Sequence, residues 1–398
     1  MDGTMREDGS SLRSQVGSLL LMTGIFYLNF VSRIIFAPLM PTIERDMGIG
    51  HAEAGSLFFL ISLGYFVSLM GSGFISSRLT HRKTIILSSI FLGASLIGVS
   101  FSRTILGFRV GCIVVGLSAG LYLPSGISTL TAMVRPKDWG KAIAIHELAP
   151  NVGFFSAPLV SEALLIWFSW RGILVLLGSV AVFIAFAFAR LGRGGDFGGE
   201  SPKPATLKIF FREPSCWIMI AFFSLGISGQ LGIYAMLPLF LVSERGMTQS
   251  MANYLVALSR VLAIGVTFVA GIATDKLGPK AALGGVFIVT GLLTLALGIM
   301  PGSWVVLIVF LQPLIAVCFF PPGFAALSRV GSPSIRNVLV SFTTPIGFLV
   351  GGGAIPTGIG MLGDRGYFGL GISLAGMLIM GGFLLLPYLR FTDGKKTK

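Results

Sequence analysis

Charge is scarce in this sequence: only 11% of its 398 residues are Asp, Glu, Lys or Arg, against about 25% in soluble domains. That scarcity excludes a water-soluble globule. Cysteine is nearly missing too. Cys112, Cys216 and Cys318 fall in or beside apolar runs without metal-ligand spacing, which excludes a disulfide framework and leaves them as small buried hydrophobes. No H-E-x-x-H and no carboxylate-rich cluster lies in an apolar run, and G-x-x-x-x-G-K-[ST] does not occur. No enzyme activity, metal, cofactor or nucleotide is therefore expected. Acidic residues are few, 16 against 29 basic, for a net charge of +13. The basic residues are scattered over many short segments, so the partner they suit is anionic lipid rather than nucleic acid. The opening "MDGTMREDGSSLRSQVG" runs straight into an apolar stretch with no small-residue cleavage site, and reads as no signal peptide.

What is present is apolar: 54% of the chain is hydrophobic and the mean hydropathy is +0.88. Stretches of about 20 apolar residues, enough to cross a hydrocarbon core of roughly 30 Å as helices, recur from end to end. The fold class expected is an all-α membrane protein with twelve transmembrane helices in two pseudo-symmetric six-helix bundles. The longest polar segment, "RLGRGGDFGGESPKPATLKIFFREP", is Gly/Pro-rich and reads as a flexible linker. It gives a bundle over 1–190, a cytoplasmic linker over 191–214 and a second bundle over 215–398.

Lys and Arg concentrate on one side. Loops such as those holding Arg78, Arg82 and Lys83, or Arg190, Arg193, Lys203, Lys208 and Arg212, share a side with the tail residues Arg6, Lys395, Lys396 and Lys398. The opposite loops keep only a few, such as Arg45, Arg103, Arg171, Arg245 and Arg365. Positive charge is retained inside, so both termini of this multi-pass chain are expected to be cytoplasmic, at the cell inner membrane.

The two halves repeat at an offset of about 198 residues. "GFISSRLTHRK" from Gly73 matches "GIATDKLGPK" from Gly271, and "LPSGISTL" from Leu123 matches "FPPGFAAL" from Phe320. A parallel repeat of this kind places a substrate site between the halves near mid-membrane. "GIATDKLGPK" resembles the G-x-x-x-D-[RK]-x-G-[RK]-[RK] signature of the major facilitator superfamily, "FSWRGILVLLG" that family's entry to helix six and "GLSAGLYLPSG" its Gly-rich fourth helix. The resemblance implies a gating role for Asp275, Lys276 and Arg78, as charge partners made in only one of two conformations; ordinary loop charge is the alternative. The first copy departs from the signature, with Ser77 in place of the acidic residue.

Within the spans, charge stands out. Arg33 interrupts "FYLNFVSRIIFAPLMP", and an arginine near a helix centre costs roughly 2.5–3.5 kcal/mol on insertion scales, so it faces a cavity or partner unless it snorkels to headgroups. Arg33, eight residues before Pro41, is similar to helix one of the organophosphate:phosphate antiporters and organic-anion symporters, where the resemblance implies an anion ligand. The antiporters carry a second arginine eight residues before a proline on helix seven; here that residue is Gln230, before Pro238. The incomplete clamp points to an anion of lower charge, a carboxylate. Arg260, in "YLVALSRVLAIGVTF", is either a second anion ligand or a structural partner for neighbouring carbonyls. Asn29 and Gln230 complete the candidate substrate set.

His146 and Glu147, in "KAIAIHELAPNVGFFSAP", are the candidate proton-coupling pair, because an imidazole and a buried carboxylate titrate within reach of physiological pH. Alternatively Glu147 pairs with a loop base such as Lys141 or Arg135. The function these residues imply is secondary active transport of a small organic anion, coupled to protons, by alternating access, with a monomer expected. A proton-coupled drug efflux antiporter is one alternative, although its G-x-x-x-G-P-x-x-G-G motif is replaced by "GFFSAPLVSE". A transport-inactive membrane sensor is the other.

Overall fold

The computed structural model describes residues 12–199, 213–331 and 333–391. Arg6, Lys203, Lys208, Arg212, Lys395, Lys396 and Lys398, and most of the 191–214 segment, lie outside them. Among the described residues eleven helices are long and apolar enough to cross a membrane, or twelve with one bent pair counted as a single span. We number them α1 (Ser14–Met47), α2 (His51–Arg78), α3 (His81–Ser100), α4 (Ile105–Met133), α5 (Pro136–Leu165), α6 (Trp170–Leu191) and α7 (Pro214–Ser243). The bent pair Gln249–Val261 and Ala263–Leu277 is α8. Then follow α9 (Pro279–Ile299), α10 (Trp304–Leu327), α11 (Leu339–Gly363) and α12 (Phe368–Tyr388). The chain is an all-α membrane protein of the expected class.

Local chemistry sets the helix starts. Thr80, Thr104, Ser169 and Thr248 each accept a hydrogen bond from the backbone N–H three residues on, which satisfies one of the donors a helix leaves open at its first turn. Proline sets several breaks. The straight runs of α1, α4 and α5 are interrupted at Ile35, Leu121 and Glu147, each three residues ahead of Pro38, Pro124 or Pro150. A proline inside a helix removes the bond to the carbonyl four residues back, here those of Ile34, Gly120 and His146. Two π-turns, Ser228–Gly232 in α7 and Val350–Ala354 in α11, add further irregularities. They pack so closely that a Cβ on Gly232 would lie 2.3 Å from the Gly351 carbonyl oxygen.

By internal contacts the described chain forms two compact units, one of residues 12–35, 64–156 and 164–199, the other of 36–63, 157–163 and 213–391. In the second unit the end segments of α1, α2 and α5 pack with α7, α8 and α11. Arg45 belongs here. The sequence placed it in a loop, whereas the helix continues through Pro41 to Met47 and the Arg45 Nε bonds the Pro41 carbonyl at 3.0 Å.

Glycine lets helices touch backbone to backbone in both copies of the repeat. In the first unit a Cβ on Gly93 of α3 would lie 2.4 Å from the Gly178 carbonyl oxygen of α6, and the reverse distance is 2.6 Å. In the second unit Gly291 of α9 and Gly376 of α12 stand in the same relation, 2.7 Å each way. These positions match at the 198-residue offset. Gly178→Val and Gly376→Val should therefore each destabilise the protein by about 1–3 kcal/mol, as overpacked contacts do. A melting temperature unchanged by either variant would show that the close approach is not required.

The segment after α6 is docked rather than loose over its first part. Phe197 and Gly195 carbonyls accept from the N–H groups of His81 and Arg82, and the Gly199 N–H donates to the Ser76 carbonyl. Gly194 and Gly195 both adopt φ +80°, and a Cβ on Gly195 would meet the Arg82 nitrogen at 2.9 Å. The glycines that read as flexibility are there for a tight turn against the α2–α3 connection.

Candidate functional site

Every charged or polar residue singled out for substrate or proton within the spans, Asn29 apart, lies at or beside a helix irregularity. Arg33 is next to the break in α1, His146 and Glu147 form the break in α5, Arg260 precedes the break in α8 at Leu262, and Gln230 lies in the α7 π-turn. Irregular backbone at membrane depth is tolerated where it is buried in protein or lines a cavity.

In the first unit Arg33 is buried, 7% exposed. Its guanidinium carbon lies 4.1 Å from the centroid of the Tyr65 ring on α2 and 5.3 Å from that of Phe30. Snorkelling to headgroups is excluded by that burial. A guanidinium laid over an aromatic face is attracted by the ring quadrupole and presents its N–H groups edge-on, the geometry that suits planar acceptors. Asn29 ties α1 to α4 instead, its amide nitrogen donating to the Ala119 carbonyl at 3.0 Å.

Deeper in the same unit, His146 has no solvent exposure. Phe26 stacks on its ring at 4.4 Å and 6°. The Tyr122 hydroxyl lies 2.9 Å from His146 Nε2 and donates to the Met22 carbonyl at 2.8 Å. On the other side Nδ1 is 3.5 Å from Glu147 Oε1. Glu147 is not the buried carboxylate the sequence suggested. The break that leaves it as the cap between two helical segments turns it outward, 48% exposed. Its neighbour is His146 rather than Lys141 or Arg135.

The signature loops are exposed. Arg78, Asp275 and Lys276 stand at helix ends, and among the described residues none of them makes an ion pair. In the first copy, where Ser77 replaces the acidic residue, a carboxylate arrives from elsewhere: Asp196, on the docked segment, lies 3.7 Å from the Arg82 guanidinium. The pair is exposed enough that its worth is about 0–1 kcal/mol.

In the second unit Arg260 is 3% exposed. Its Nη2 donates to the Gln230 carbonyl at 3.3 Å, and its guanidinium carbon lies 5.1 Å from the Tyr234 ring centroid. Gln230 occupies the place in the second copy that Arg33 occupies in the first, so the guanidinium missing from α7 is brought there from α8. Gln312 of α10 holds the same π-turn through the Gly229 carbonyl at 2.7 Å. Sequence reading missed Tyr65, Tyr234, Tyr122 and Gln312. An aromatic residue in an apolar span gives no signal of its own; only an arginine known to need a neighbour could have directed attention to them.

At the end of this unit that carries the α1–α2 and α7–α8 turns, polar and charged groups tie the helices together. Glu162 of α5 accepts from Ser250 at 2.5 Å and Asn253 at 2.6 Å, both on α8. Asn253 and Gln249 also donate to the Pro38 carbonyl of α1. Asp364 accepts from the N–H groups of His51 and Ala52 at the start of α2, where a carboxylate complements the helix dipole.

Known proteins share this architecture. The chain matches a bacterial homologue of the human lysosomal transporter Spinster with TM-score 0.79 at 18% identity, over 96% of this chain and 97% of that one. The probable L-galactonate transporter of Escherichia coli (strain K12) is 22% identical over 69% of this chain, and the match spans only 65% of that protein's length. The multidrug efflux protein YfmO of Bacillus subtilis (strain 168) is 24% identical over 95% of this chain and 94% of its own. The Major Facilitator Superfamily profile matches residues 21–356. With helices, repeat and signature loop in agreement, the chain belongs to the major facilitator superfamily.

Proposed function

We propose that this protein is a secondary transporter, not an enzyme, that moves a small organic anion, a carboxylate, together with protons by alternating access. The observation that carries the reading is the pair of buried arginines, Arg33 and Arg260, each laid against a tyrosine ring beside a helix irregularity. A guanidinium at membrane depth is costly. Aromatic backing contributes about 0.5–2 kcal/mol, and a guanidinium laid flat on a ring is a chemical complement to a planar anion. Gln230 in place of an arginine on α7, and the use of one Arg260 N–H on the Gln230 carbonyl, favour a carboxylate over a phosphate dianion. The galactonate named for one relative is an anion of this kind. Multidrug efflux, the activity named for YfmO, does not by itself call for two buried cations.

His146 and Glu147 are the proton-coupling pair in this reading, and Asp275, Lys276 and Arg78 the gating charges. Both termini are cytoplasmic, the bundles are residues 1–190 and 215–398, and the working unit is a monomer. Thermal unfolding of the purified protein in the presence of mono-, di- and tricarboxylates, sulfonates, phosphates and hydrophobic cations tests the substrate class. A carboxylate, with galactonate in the first panel, should stabilise by about 2.7 kcal/mol at a hundred times its dissociation constant. Stabilisation by phosphates alone, or by hydrophobic cations alone, would overturn it.

A further inference from the structure

The donors and acceptors around His146 fix its protonation pattern. The Tyr122 hydroxyl has one proton, and the Met22 carbonyl can only accept, so that proton points to Met22. His146 Nε2, 2.9 Å from the same oxygen, must then be the donor. In the neutral imidazole this leaves Nδ1 as an acceptor. Nδ1 is buried without a hydrogen bond among the described residues, and a carboxylate oxygen of Glu147, also an acceptor, lies 3.5 Å from it. Two acceptors this close can hydrogen-bond to each other only when a proton stands between them, either on the imidazole or on the carboxyl.

We propose that Tyr122 is a positioning residue, which holds His146 as the Nε2–H form so that His146 Nδ1 and the Glu147 carboxylate together bind the single proton that the transport cycle carries. The inference rests on the proton-coupling reading above and deepens it. Binding is one proton taken from water by the neutral imidazole and carboxylate; no other bond changes. Burial distinguishes the two groups, with Glu147 half exposed and His146 enclosed. Phe26, parallel to the imidazole, fixes the ring plane and opposes the flip that would put Cδ2 and Cε1 where the two nitrogens stand.

From α1 the contacts are Met22 and Phe26, neither titratable; from α4 the facing group is Tyr122 itself. Lys137 and Asp138 stand on the turn at the opposite end of the helical segment Trp139–His146.

The test combines NMR of nitrogen-15-labelled histidine, in a protein with only three histidines, with proton-driven uptake in vesicles. His51→Gln and His81→Gln assign the signals. Wild-type His146 should show the Nε2–H tautomer above its titration midpoint. In Tyr122→Phe the imidazole loses its acceptor at Nε2 and can present Nδ1–H to Glu147, so the neutral form gains and proton binding weakens. The tautomer should switch and the pH midpoint of uptake should move to lower pH, while substrate exchange persists. An Nδ1–H tautomer in wild type overturns the positioning role whatever transport does. An Nε2–H tautomer that switches in Tyr122→Phe, with uptake unchanged in both Tyr122→Phe and Glu147→Gln, leaves the positioning intact and overturns coupling through this pair.

Discussion

Arg33→Ala should weaken binding of the transported carboxylate by about thirty-fold to several-thousand-fold, the equivalent of about 2–5 kcal/mol for truncating one member of a desolvated charge pair. Arg33→Lys should fall between alanine and wild type. Lysine keeps the charge but neither the planar fork nor the flat stacking that places the guanidinium 4.1 Å from the Tyr65 centroid. Stability should respond differently. Removing the guanidinium forfeits its contacts with Tyr65 and Phe30, worth about 0.5–2 kcal/mol, but relieves a buried cation that costs roughly 2.5–3.5 kcal/mol. The ligand-free alanine variant should therefore be no less stable than wild type. Isothermal titration and thermal unfolding of the same preparations separate the cases. Normal affinity with a markedly lower melting temperature would mean that Arg33 supports the fold and not the substrate.

Glu147→Gln should abolish accumulation driven by a pH gradient. With one proton per substrate, each pH unit supports about tenfold accumulation, and in the variant the ratio should fall to one. The geometry at 3.5 Å from His146 Nδ1 supplies the reason. A glutamine amide can donate to that nitrogen permanently, so it stands where the shared proton would stand and removes the need to bind one. Exchange of labelled for unlabelled substrate requires no net protonation change and should continue. Uphill uptake at the wild-type level in the variant would assign coupling to another group or to another ion.

The membrane class, the helical spans and the twofold repeat were legible because they are one-dimensional properties. Apolar length decides what crosses a bilayer, and repeated motifs show as repeated letters. The breaks in α1, α4 and α5 follow a proline rule that needs no neighbours. Arg33 and Arg260 stood out because a charge in an apolar run is expensive wherever the fold puts it. Partners were another matter. That Arg260 reaches the Gln230 carbonyl, that Tyr65 underlies Arg33 and that Tyr122 orients His146 depend on which helices are adjacent and how each is rotated.

Some residues changed meaning for the same reason. Glycines near 194–199 read as slack and are compact contacts; Asp196 supplies a carboxylate that position 77 lacks; Glu147 read as buried and faces outward because the chain breaks at that residue. The sequence by itself determined the solvent, the number of crossings, the repeat and which costly charges the fold must accommodate, since hydration and backbone hydrogen bonding act on each segment alone. Only the tertiary structure decided which rings and carbonyls answer those charges, because a side-chain contact between helices is a property of their mutual rotation and depth, and nothing in either segment encodes it separately.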